Sequence, residues 1–105
     1  MGTKYKVKIT SMAFNDLREI FSYISSTLSA EEAAKNLMKN IDDAITSLNE
    51  MPHCHNLSLD QTLREKGYRR AVVKNYVILF LIDEKEKTVT VARAFHGKMD
   101  YAKYI

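Results

Sequence analysis

Residues 67–95, GYRRAVVKNYVILFLIDEKEKTVTVARAF, carry the reading on which the fold turns. GYRRAVVK and YVILFLI read as two strands joined through Lys74, Asn75 and Tyr76, with Asn75 the turn residue. The second strand is apolar enough to sit centrally in a sheet. DEKEK is a charged turn, and TVTVARAF returns to complete a hairpin. One position of this last strand resists the pattern. Strict alternation puts Val89, Val91, Arg93 and Phe95 on one side, so an arginine falls among apolar residues. Either Arg93 is buried against a carboxylate, or a bulge near Ala92 switches the parity. Both leave Arg93 and His96 near the rim of the sheet.

Upstream, KYKVKI (residues 4–9) alternates, with Tyr5, Val7 and Ile9 on one side and Lys4, Lys6 and Lys8 on the other. That is a half-buried strand with a lysine-coated outer face. Thr10 or Ser11 can cap a helix whose apolar positions Ala13, Leu17, Ile20, Ile24 and Leu28 recur at helical spacing. Ser29 and Glu32 form a capping box for a second helix, with a stripe of Ala34, Leu37, Ile41, Ala44, Ile45 and Leu48 and an end at Pro52. So short a connection makes the pair an antiparallel αα-hairpin. A polar loop, HCHNLSLDQTLREKG (residues 53–67), leads to the later strands, and MDYAKYI is a short tail. The order is β-α-α-β-β-β: an α+β fold with a mostly antiparallel four-stranded sheet and the N-terminal αα-hairpin on one face. The opposite face, with Lys4, Lys6 and Lys8, is expected to be free to meet a partner.

A chain of 105 residues makes one domain over residues 1–105, since two would each lack a core. With 46% hydrophobic and 28% charged residues it reads as globular rather than disordered. No apolar run is long enough for a signal peptide or a membrane span, and the single Cys54 cannot form an internal disulfide. A reducing cytoplasm is the expected location. The charge is unevenly spread. Residues 1–10 hold three lysines and no acid, residues 11–51 seven acids against three bases, and residues 52–105 ten bases against six acids. If the two basic ends share a surface, that surface attracts anions.

Chemistry concentrates in RAFHGKMDY, residues 93–101. A histidine moves protons near neutral pH, and an arginine can hold a phosphate through two parallel hydrogen bonds. RNA cleavage by 2′-hydroxyl attack needs both services, which makes His96, Arg93 and Arg69 the candidate catalytic residues if the protein is a nuclease. Arg69, Arg70 and Lys98 could add positive charge toward a target, and Tyr101 or Tyr104 could stack on a base. The alternative is a strand end finished with solvated charges. The HCH triplet, His53 to His55, has one cysteine and its third histidine about forty residues away, which is not a zinc pattern. A loop histidine reaching toward His96, oriented by Asp60, fits better. There is no glycine-rich phosphate loop, nucleophile elbow or dinucleotide fingerprint, so no cofactor, metal or small-molecule substrate is expected.

With these segments in view, the chain resembles the RelE/ParE superfamily of toxins from type II toxin–antitoxin systems, and most closely its ParE-like branch. The resemblance rests on ITSMAFNDLREIFSYI, EAAKNLMKNIDDAITSLNEMP, GYRRAVVKNYVILFLID and VTVARAFHGKMDY, in that order and spacing. It implies the β-α-α-β-β-β fold reached above and a cognate antitoxin whose flexible segment wraps the toxin. It also implies growth inhibition, and with it plasmid stabilization. ParE-like members poison DNA gyrase without a known hydrolytic step, whereas RelE-like members are mRNA interferases that cut mRNA on the ribosome without a metal. Nuclease branches commonly carry arginine where this chain has Val77, and a basic residue where it has Met99. These departures weigh toward a gyrase inhibitor, with ribosome-dependent cleavage through His96, Arg93 and Arg69 as the alternative.

Overall fold

The computed structural model describes residues 4–27 and 30–97. Its elements are β1 (Lys6–Ile9), α1 (Ser11–Ser22), a π-helical turn (Tyr23–Thr27), α2 (Glu31–Ser47), a 3-10 turn (Pro52–Cys54), α3 (Gln61–Glu65), β2 (Arg69–Val73), β3 (Tyr76–Asp83) and β4 (Thr88–His96). The expected order of strands and long helices holds, and the loop at 53–67 contains the additional helix α3. Asp60 starts α3 by accepting the Leu63 N–H at 2.9 Å. This polar stretch shows no apolar periodicity long enough to announce a helix of five residues.

The four strands form one mixed sheet in the order β1-β4-β3-β2, with β1 parallel to β4 and the other pairs antiparallel. Val7 faces inward while Lys4, Lys6 and Lys8 are exposed, as the alternation of KYKVKI requires. On the helical side, Leu37, Ile41, Ile45 and Leu48 of the second helix and its end pack with Ile78, Phe80, Val89, Val91 and Ala94. Burying Phe80, Ile78 and Ile41 this completely contributes about 1.5–3 kcal/mol each. The central strand β3 is covered on both faces. Val77 and Leu79 point away from α1 and α2 and form a second cluster with Phe95 and with Leu63 of α3. The face expected to be free is therefore partly covered, because the continuous apolar run of β3 leaves Val77 and Leu79 in need of burial there.

Both alternatives for Arg93 are realised together. Along β3 and β4, Leu79 pairs with Arg93 but Phe80 pairs with Val91, so Ala92 is an extra residue in a bulge. The parity flips across it, which lets Val89, Val91 and Ala94 all enter one core while Phe95 enters the other. Thr10 ties the bulge down. Its Oγ1 accepts the Ala13 N–H at 3.0 Å, capping α1, and donates to the Ala92 carbonyl at 2.9 Å. At the start of α2 the cap position is Ala30, without a side-chain cap, and Glu31 and Glu32 occupy the first turn, where acids suit the helix dipole. Leu28 and Ser29 of the expected stripe and capping box lie outside the described residues, as does the tail.

Candidate functional site

β1 stops at Ile9, opposite Val91, so the rest of β4 has no strand on that side. A strand edge left in this way presents unpaired backbone groups. Helix α1 supplies the substitute. Asp16, one turn into the helix, accepts the Ala94 N–H at 3.0 Å, where a neighbouring strand would have offered a carbonyl. The same carboxylate accepts Arg93 Nε at 2.7 Å and Nη2 at 3.0 Å, a two-pronged ion pair whose side chains are each only 13% exposed. The pairing raises the Arg93 pKa further above its ordinary value, through the Asp16 hydrogen bonds first and the charges of Asp16 and Glu19 after them. The guanidinium also lies over the Phe95 ring, 4.5 Å from its centroid.

Between α1 and this edge runs a groove of about 420 Å³ lined by Glu19, Ile20, Tyr23, Tyr76 and His96, together with the paired Asp16 and Arg93. His96 meets Tyr76 edge to face, with ring centroids 5.3 Å apart. Tyr23 reaches the groove from the first residue of the π-helical turn, where the helix widens before α2. The electrostatics do not suit an anion. Arg93 is matched by Asp16, and the exposed Glu19 adds a second carboxylate without an ion pair among the described residues.

Of the residues picked out from the sequence, the groove unites Arg93 and His96 and leaves out Arg69. Arg69 pairs with Phe80 in the register, whereas His96 pairs with Tyr76, four residues away along β3. That is ~13 Å along the strand and two strand spacings across the sheet. Its Nη1 donates to the His55 carbonyl at 2.7 Å. Arg70 points to the opposite face, and its Nε is buried without a hydrogen-bond partner. Lys98, Tyr101 and Tyr104 lie outside the described residues. No loop histidine reaches toward His96. His53 instead contacts Glu84 at 2.6 Å, a carboxylate that also accepts the Tyr5 hydroxyl at 2.9 Å and Lys87 Nζ at 3.1 Å. His55 lies edge-on to Phe80, its pKa lowered by burial and then by the charge of Arg69. Asp60 is occupied as the cap of α3. Asp16, Glu19, Tyr23 and Tyr76 were not legible as site residues. The misfit of Arg93 called for a carboxylate, but nothing in the spacing selected one 77 positions away.

The family model for the ParE toxin of the type II toxin–antitoxin system parDE matches residues 7–101. The chain belongs to this ParE toxin family. The ParE match includes α1, the groove and all of β2 to β4. Among solved structures, the chromosomal ParDE toxin–antitoxin system of P. aeruginosa aligns with a TM-score of 0.72 at 17% identity, covering 90% of this chain and 97% of that one. The RelBE2 toxin–antitoxin complex of Mycobacterium tuberculosis aligns with a TM-score of 0.59 at 21% identity, covering 89% and 98%. At such identities these two likenesses speak for the ParE/RelE fold. No curated protein sequence matches the chain.

Proposed function

We propose that this ParE-family chain halts growth by binding a macromolecular target, with DNA gyrase the target its family suggests, and that a cognate antitoxin holds it in check in the cytoplasm. The fold it shares with the P. aeruginosa ParDE system and with the RelBE2 toxin–antitoxin complex supports the antitoxin as partner. The observation that favours binding over RNA cleavage is the Asp16–Arg93 pair. Phosphoryl transfer builds negative charge on the reacting oxygens, and a cleaving site must present positive charge to it. In this groove the available guanidinium already faces one carboxylate, Glu19 stands beside it, and Arg69 is elsewhere. The second reading, ribosome-dependent mRNA cleavage, draws on His96 and Arg93 lining the same groove. In it His96 serves as acid or base and Arg93 as the phosphate holder.

Purified protein added separately to a gyrase supercoiling reaction and to a translation reaction distinguishes the two. Inhibited supercoiling with intact mRNA is expected. Codon-positioned cuts that vanish in His96→Ala, together with toxicity and in a variant that keeps its melting curve, would overturn the gyrase reading.

A further inference from the structure

The sheet face turned away from α1 and α2 carries a charge pattern that the groove does not explain. In the register of β1 and β4, Lys6 stands beside Thr88 and Lys8 beside Thr90, while Val7, Val89 and Val91 take the core side. Lys4 continues the alternation, and all three lysines are exposed. Lys6 and Lys8 make no ion pair among the described residues, and Lys4 has one loose contact, 3.9 Å to the exposed Glu50. Arg70 lies on the same face two strands beyond β4, its Nε without a partner. The strand carboxylate on this face is Asp83, opposite Thr88, and it is turned into the β3–β4 turn to accept the Glu86 N–H at 3.0 Å. Three exposed lysines, with the half-buried Arg70 beyond them, thus stand against Glu50, loosely held by Lys4, and Asp83, engaged in its turn.

The spacing is regular because the strand is. Alternate residues of a strand repeat at ~6.7 Å, so Lys6 and Lys8 stand about two phosphates apart on one strand of a duplex, and Lys4 precedes the strand by two residues. Single-stranded nucleic acid is bound by stacking bases on exposed rings. Among the described residues, the exposed aromatic ones, Phe14 and Tyr23, belong to the helical side, and Phe95 is buried. We propose that this row of lysines binds the phosphate backbone of duplex DNA without reading its bases. The inference goes beyond the gyrase reading and does not depend on it.

Fluorescence anisotropy with a short labelled duplex of mixed sequence tests it. Three lysine–phosphate contacts give a log–log salt slope of about −2.7, which is roughly a 40-fold loss of affinity between 50 and 200 mM salt. Lys6→Gln/Lys8→Gln should cut the slope to about −0.9 and weaken binding about 10-fold or more at 50 mM. Lys35→Gln/Lys39→Gln on α2 removes the same charge from the helical side and should stay within about twofold of the unaltered protein if the contacts are local. No binding at 50 mM overturns the proposal, as does an equal loss in both variants, which would assign the effect to net charge. A Lys6→Gln/Lys8→Gln protein that keeps its DNA affinity but self-associates overturns it as well, because the lysines would then be guarding an edge strand. Gyrase is absent from the experiment, so its failure leaves the gyrase reading standing.

Discussion

Replacing Asp16 by alanine tests the physical account of the groove most directly. The carboxylate serves three donors at once, two on Arg93 and the Ala94 N–H, at 2.7–3.0 Å. Its removal strands a largely buried guanidinium and a backbone N–H together. Losing one member of a buried ion pair costs ~3–5 kcal/mol. Each side chain here keeps 13% exposure. Water can therefore reach part of the guanidinium, and the lower end, ~3 kcal/mol, is the appropriate figure. For a domain of about one hundred residues that is a fall in Tm of roughly 12–24 °C. Thermal melts of Asp16→Ala, Arg93→Ala and the double variant measure it as a double-mutant cycle. The double variant should be less destabilised than the sum of the singles by more than ~1 kcal/mol, because the second deletion removes the charge that the first left unpaired. A drop below about 3 °C for Asp16→Ala, or strict additivity in the cycle, would refute the claim that this pair closes the open edge of β4.

Two further outcomes follow from the same structure. Thr10→Ala loses both the cap of α1 and the donor to the bulged Ala92 carbonyl, and should cost ~1–2 kcal/mol in urea unfolding, with Thr10→Ser recovering most of it. His55 has its pKa lowered from 6.5 by burial first and by Arg69 second, so below that value the unfolded chain takes up a proton that the folded protein resists. Stability should therefore be full above about pH 6.5 and fall as the pH drops through the window beneath it, and His55→Gln should flatten that part of the urea-midpoint profile. A variant whose profile keeps the full slope would place the effect elsewhere.

What the linear chain determined was the set of periodicities. Strands with a two-residue repeat and helices with a 3.6-residue repeat have only a few ways to bury their apolar faces; Tyr5 and Val7 of KYKVKI, the stripe of residues 34–48 and most of YVILFLI enter the core, whereas Ile9, expected inward with Val7, is 44% exposed where β1 ends. The misfit at Arg93 was visible for the same reason, since an arginine in an alternating run must change either its partner or the parity. Packing alone decided that it does both. A repeat says which face a residue occupies but not what stands across from it. Asp16 meets Arg93 only because a single residue, Thr10, separates the end of β1 from the start of α1 and the helix then crosses the edge of β4. Arg69 and Arg70, adjacent in β2, take opposite faces as the two-residue repeat requires, but only the assembled sheet leaves both out of the groove. Those contacts join residues distant along the chain, and their geometry exists only once the sheet, its bulge and the helices have assembled.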